Sequence, residues 1–200
     1  MKLYYTQNSP YAHRVRIVAR EAGLMGEIEE IDASARDTAA TPLAAHGPGG
    51  KVPSLLTDDG ILLRETLLLT RYLDDLSGGR LTPADPHARR AALALEGLGS
   101  LLMESVFTRS RESRREAALR SQAALDKEAA RTRTCYDALE AVAGEQGDAV
   151  NLGTIAVVAA LGYADWRTPE DAWRDGRPKL EAWYERSMRR PAFAETKLVT

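Results

Sequence analysis

Along the first 77 residues, short apolar runs alternate with amphipathic stretches, a pattern that predicts mixed α/β structure. Lys2 to Thr6 reads as a strand. Ser9 and Pro10 open a helix, because serine is a good N-cap and proline suits the first helical position. Tyr11, Val15, Val18 and Ala22 recur on one face of that helix, and Gly23 stops it. Glu27 to Ile31 is a second strand. Thr38 to His46 reads as a short helix, followed by the irregular Gly47-Pro48-Gly49-Gly50 loop. Pro53 cannot donate to a sheet ladder and must begin a strand or sit at an edge. Ser54 to Thr57 and Ile61 to Leu63 pair across Asp58-Asp59-Gly60, a hairpin turn of the Asp-Gly kind. Leu67, Leu68, Tyr72, Leu73 and Leu76 are expected to line a closing helix. The order βαβ, a linking helix, then ββα is thioredoxin-like.

The pattern breaks between Gly78-Gly79 and Pro86, a glycine- and proline-rich stretch expected to be a domain junction. The predicted organisation is an α/β domain over residues 1–77 and an all-helical domain over residues 86–200. In the second, His87 to Ser110 carries Leu93, Leu95, Leu98, Leu101, Leu102 and Val106. Ala117 to Ala143 reads as one long helix. Asn151 caps a third helix that runs to Trp166, with Thr154 a weaker reciprocal partner than an acid or amide. Pro178 starts a last helix with Leu180, Trp183, Tyr184 and Met188 facing inward.

Composition narrows the function classes. At 200 residues, 44% hydrophobic and 28% charged, the chain can bury a sizeable core. A net charge of −2 argues against nucleic acid as a partner, and the basic run from Arg109 to Arg120 is interrupted by Glu112 and Glu116, as on a solvated face. The single cysteine, Cys135, permits no intramolecular disulfide, which points to a reducing, cytoplasmic setting. The N-terminus lacks the apolar core of a secretory signal. The longest apolar stretch, Ile155 to Tyr163, is about half of the roughly 20 residues that span a bilayer, so no membrane role is expected. His13, His46 and His87 are scattered and form no zinc spacing with Cys135, so no metal is expected.

The segment from Gly50 to Thr66 holds the candidate chemistry. Glu65 and Thr66, at a helix start, offer a carboxylate, a hydroxyl and free backbone N–H groups. These can cap the helix, or hold the carboxylate and ammonium of an amino-acid end. A Val52-Pro53 bond that is cis would aim the Val52 N–H and C=O outward to pair with an extended peptide; local sequence leaves cis and trans both open. Lys51 can meet a second carboxylate or simply be solvated. Together these groups make a pocket for a small peptide held by its backbone and charged ends.

The chain resembles the soluble, cytosolic-type bacterial glutathione S-transferases. Ser9-Pro10-Tyr11 with Arg14 and Val15 is similar to the start of many bacterial members, and Gly47-Pro48-Gly49-Gly50-Lys51-Val52-Pro53 is similar to their Asn-Pro-x-Gly-Lys-Val-Pro turn. Glu65-Thr66 stands where they carry Glu-Ser, and Asn151-Leu152-Gly153-Thr154-Ile155-Ala156 resembles their capped, buried helix with threonine in place of aspartate. The resemblance implies the glutathione S-transferase fold and a homodimer, with glutathione as cosubstrate and no permanent cofactor. It implies that Ser9 activates the thiol and that Val52 pairs with the cysteinyl backbone across a cis Pro53. Glu65 and Thr66 would take the γ-glutamyl end, with Lys51 near the rest of the tripeptide. A second substrate would lie among Tyr11, Met103, Phe107 and Trp166.

Elementary energetics fit that role for Ser9, beside its simpler role as an N-cap. Moving a thiol from a pKa of about 8.5 to ~6.5 requires roughly 2.7 kcal/mol of preference for the anion. A hydrogen bond to a charged group contributes about 1.5–3 kcal/mol and a helix N-terminus about 0.3–1. The hydroxyl is the larger contribution, and the two suffice together. The expected function is conjugation of the glutathione thiolate to electrophilic small molecules. A non-catalytic binding module on the same fold, or a glutathione-dependent isomerase or dehalogenase, also fits.

Overall fold

A computed structural model describes residues 1–33, 43 and 50–198. The predicted helix Thr38–His46 falls outside them except at Leu43, as does the loop over 47–49. The chain divides into two compact units, Met1–Pro83 together with the residues from Glu195 onward, and Ala84–Ala194. The C-terminal tail therefore groups with the α/β unit, and the helical unit ends before it.

The first unit is a four-stranded sheet of β1 (Lys2–Tyr5), β2 (Glu29–Asp32), β3 (Ser54–Leu56) and β4 (Leu62–Arg64), in the order β2-β1-β3-β4. β1 and β2 are parallel, whereas β3 runs antiparallel to both β1 and β4. Leu3 pairs with Leu55, and Leu55 with Leu63, so one face of the sheet carries a leucine row. The opposite face carries Tyr4, which clusters with Ala33 and Leu43 beside Ile31, Val52, Leu56 and Leu62. Helices α1 (Pro10–Glu21) and α2 (Thr66–Leu76) pack on each other.

α1 buries more than the expected stripe, including Ala12, His13, Arg14, Ile17 and Ala19, whereas Tyr11 is only half-buried. Its placement is fixed by a carboxylate clamp. Arg16 and Arg20 both grip Glu30 of β2, with Arg20 Nη1 at 2.7 Å and Arg16 Nε at 2.9 Å, while the Arg16 guanidinium stacks 4.1 Å above the Tyr5 ring. Burial pushes the Glu30 pKa up, but the hydrogen bonds from Arg20 and Arg16 outweigh it and hold the carboxyl at about 2.

The face of α2 differs from expectation. Leu67, Leu68 and Leu76 are exposed, and the buried positions are Leu69, Thr70, Leu73 and Asp74. Asp74 is tolerated inside because the chain after α2 folds back onto it: its carboxylate accepts from the Leu81 N–H at 2.7 Å and the Thr82 hydroxyl at 2.6 Å. Periodicity scored leucines as inward and could not register a polar residue that a later segment satisfies.

The helical unit contains α3 (Pro86–Ser113), α4 (Gln122–Ala143), α5 (Leu152–Arg167), α6 (Pro178–Met188) and a short α7 (Pro191–Ala194) that the sequence pattern did not reveal. The long helix expected from Ala117 breaks after a 3-10 turn at Ala117–Leu119, and Ser121 caps a fresh start through the Ala124 N–H at 3.2 Å. By length and composition α3 is apolar enough to cross a membrane, but Leu95, Leu102, Met103 and Val106 are buried and the helix packs on α4 and α5. Leu93 and Leu101, expected inward, are exposed. α5 is buried along most of its length, and two glycines allow its close approach to α3. A Cβ at Gly99 would fall 2.7 Å from the Val157 nitrogen, and one at Gly153 would fall 2.4 Å from the Ala92 carbonyl oxygen. The α5 cap is stronger than expected. The Asn151 side chain accepts from the Gly153 and Thr154 N–H groups, and the Thr154 hydroxyl accepts from the Asn151 N–H at 2.8 Å, closing a full capping box.

His13 links this fold to pH. It is 4% exposed, and both ring nitrogens lack a hydrogen-bond partner among the described residues. Burial, then the charges of Arg16 and Arg20, lower its pKa from 6.5 to about 3. An unfolded chain takes up a proton at His13 below pH 6.5 that the folded chain refuses until about pH 3, so stability falls as pH drops through that window. The slope is at most about 1.4 kcal/mol per pH unit. In urea unfolding between pH 7 and 5, above the range where Glu30 titrates, His13→Asn should flatten the loss of stability; an unchanged slope would refute this role.

Candidate functional site

Register brings the sequence-predicted residues to one end of the sheet. Tyr4 pairs with Ser54 and Ser54 with Arg64, so the C-terminal end of β1, the N-terminal end of β3 and the C-terminal end of β4 share one edge. At that edge the chain leaves β1 toward Ser9, enters β3 from Val52-Pro53 and leaves β4 into Glu65-Thr66. Both α1 and α2 begin there, so two helix N-termini, each with partial positive charge, open at the same end.

Ser9 is the N-cap of α1, as its position before proline predicts. Its Oγ accepts from the Ala12 N–H at 3.2 Å, and its backbone N–H donates to the Thr6 carbonyl at 3.1 Å. A hydroxyl has two acceptor lone pairs and one donor. The cap uses a lone pair and leaves the O–H to donate to an anion, so capping and anion binding are compatible. The first turn of α1 contains no acid to oppose such an anion.

The Val52-Pro53 bond is cis, which settles the choice the local sequence left open. The ladder with β1 ends at Ser54, so the Val52 backbone lies beyond it. Pro53 is buried and Val52 half-buried beside the Tyr4 cluster. Ser54, which sequence reasoning did not single out, holds this turn: its buried hydroxyl donates to the Lys51 carbonyl at 2.7 Å. A serine directly after Val-Pro was the available signal. Lys51 itself is exposed.

Glu65 is the most unusual backbone position. Its φ of 70° and ψ of 120° lie outside the regions ordinary residues occupy, and its side chain makes no capping hydrogen bond to α2. The capping role is therefore absent, and the first turn of α2 carries no acid. The carboxylate is exposed and Thr66 half-buried at the helix start. Such strain costs about 1–3 kcal/mol and collects at ligand-binding positions.

The candidate second-substrate residues are divided between the units. Tyr11 lies half-buried on α1. Met103 is buried on α3, which makes it a core residue; Phe107 and Trp166 are half-buried on α3 and α5. Phe107 and Trp166 flank the buried Tyr163, with ring centroids 6.4 and 6.0 Å from it. Two hollows outlined by described residues lie elsewhere, one around Met1, Lys2 and Glu27 and one around Trp183, Arg186 and Phe193. The candidate groups at the sheet's end are suited to a ligand held by backbone pairing and end charges.

Residues 8–76 match the family model described as the glutathione S-transferase N-terminal domain. Over 98% of both chains the protein is 29% identical to an Escherichia coli relative described as an uncharacterized GST-like protein, YibF. A glutathione transferase family member from Pseudomonas fluorescens Pf-5, solved with bound glutathione, superposes with a TM-score of 0.90 at 29% identity, covering 100% of this chain and 99% of that one. A glutathione S-transferase from Methylobacillus flagellatus KT with glutathione bound gives 0.90 at 28% identity, covering 99% of both chains.

Relief of strain is measurable without any ligand. Replacing Glu65 by glycine should leave stability unchanged or raise it by up to about 1 kcal/mol in urea unfolding, despite the loss of a side chain. A loss above about 1 kcal/mol would show that the Glu65 side chain contributes stability that the geometry does not reveal.

Proposed function

The chain belongs to the glutathione S-transferase family, and from that premise we propose that it binds glutathione, favours its thiolate and delivers that thiolate to a small electrophile. The convergence of Ser9, Val52-Pro53 and Glu65-Thr66 at one edge carries this reading. In it, the Val52 N–H and C=O pair with the cysteinyl backbone as a short antiparallel strand would. The α2 N-terminus and Thr66 take the γ-glutamyl carboxylate, and Glu65 takes its ammonium. Lys51 meets the other carboxylate. The Ser9 hydroxyl donates to the sulfur, and the α1 N-terminus adds a smaller contribution of the same sign. The protein supplies orientation and a stabilised anion; the sulfur supplies the nucleophile. Within the helical unit, Phe107 and Trp166 are the candidates for the second substrate. We take the protein to work in a reducing, cytoplasmic setting.

We propose a homodimer, a reading supported by surfaces that remain apolar. Leu67 and Leu68 on α2, and Leu93 and Leu101 on α3, are 44–66% exposed, more than isolated surface leucines require. Light scattering at micromolar concentration should give twice the chain mass, and Leu68→Glu should lower it; a monomeric wild type would remove the proposal.

Calorimetry with glutathione should show binding at or below millimolar concentration. The absorbance of the bound thiolate should place its pKa below that of free glutathione, and Ser9→Ala should raise it by a unit or more, at ~1.4 kcal/mol per unit. No heat of binding would reduce the protein to a binding module of the same fold. Binding with an unchanged pKa in Ser9→Ala would move thiol activation to a neighbouring group.

A further inference from the structure

We propose that the helical unit selects an aromatic ligand that carries a carboxylate, through Arg111 and Arg167 on a platform of Phe107, Tyr163 and Trp166. This deepens the reading above, in which that unit holds the electrophile, and names its chemical class. Tyr163 is 1% exposed, and the half-exposed Phe107 and Trp166 rings lie 6.4 and 6.0 Å from it. Each of these two rings carries a guanidinium. Arg167 lies 3.3 Å above the Trp166 ring and 6.0 Å from that of Tyr163, and Arg111 lies 5.7 Å from the Phe107 ring.

Of the four described arginines of this unit that lie over aromatic rings, Arg174 and Arg177 also have an acid partner and these two do not. In the same unit, Arg109 pairs with Glu170 and Asp171, Arg115 with Glu112, Arg131 with Glu128, Arg174 with Asp165, and Arg177 with Asp137. Neither the Arg111 nor the Arg167 side chain has an ion pair or a hydrogen bond among the described residues, and the Arg167 Nε is buried without a partner there. Both lie in the last turn of a helix, where a cation is favourable, and this accounts for their charge. It does not account for a buried, unpaired Nε, since such groups are normally satisfied. Stacking on an aromatic face leaves the in-plane N–H groups of a guanidinium directed outward, the geometry that takes a carboxylate in a bidentate pair. A flat ring covers Phe107 and Trp166 while its carboxylate reaches an arginine. A neutral arene uses the rings alone.

The test compares 4-chloro-3,5-dinitrobenzoate with its methyl ester, two probes of similar shape that differ in charge. Without glutathione, tryptophan fluorescence or calorimetry should show the acid binding at least about tenfold tighter than the ester to the wild type. Arg167→Met should remove about tenfold of the acid's affinity and leave the ester within about twofold; Arg111→Met should act in the same direction. Equal affinity of acid and ester for the wild type overturns the inference with no variant needed, as does a variant that weakens both equally. With glutathione present, the thiolate sulfur bonds to the ring carbon bearing chlorine and chloride leaves with the bonding electrons. Acid-selective binding without this turnover would uphold the arginine site and count against the transferase reading. Turnover of acid and ester with equal kcat/KM would do the reverse.

Discussion

The pairing of β3 between β1 and β4 is the constraint on which the site depends. Because side chains alternate across a strand, a one-residue slip would turn the Leu3, Leu55 and Leu63 row to the wrong face. Leu3 and Leu55 are fully buried, so the hydrophobic penalty for such a slip is large and the register is strongly specified. The same register puts Tyr4, Ser54 and Arg64 in one row, and hence three loops at one edge. Core packing thus determines where the candidate site residues lie, although none of the three leucines is among them.

The edge is held from behind by electrostatics. Glu30 is gripped by two arginines of α1, one of which also stacks on Tyr5, so the second half of α1 is fixed to β2 and to the end of β1. Ser54 fixes the Lys51 carbonyl and thereby the turn at Pro53. Glu65 is held in a backbone conformation that a non-glycine residue adopts only when its surroundings demand it. Ser9, the Val52-Pro53 turn and Glu65, which the proposed reading turns toward glutathione, therefore each have a supporting partner or constraint, which is what orienting a flexible peptide would require.

The helical unit is built on different terms. Its central contact is the approach of α3 to α5 at Gly99 and Gly153, and a closed capping box fixes where α5 begins. Among the described residues, four arginines of the unit lie over aromatic rings; Arg174 and Arg177 are also paired with acids, whereas Arg111 and Arg167 are not. In the proposed reading, charge and shape together give the surface around this last pair a chemical preference that apolar packing alone would lack.

What the amino-acid sequence determined was the local chemistry. Serine before proline, Asp-Gly between apolar runs and asparagine before a buried helix each act within a few residues, and the corresponding cap, hairpin and helix form as read. The family resemblance rested on these same short segments. Tertiary structure decided whatever depended on distant partners. Asp74 rather than Leu68 turns inward because Leu81 and Thr82 return to satisfy it. Thr154 serves as a full capping partner because its hydroxyl meets the Asn151 N–H. The helix expected from Ala117 starts afresh at Ser121, which spends its hydroxyl on the new first turn. The local sequence left the bond before Pro53 open, with only the family resemblance implying cis, and the positive φ of Glu65 was invisible, because a backbone conformation of this kind is selected by the packing around it and not by the residue that adopts it.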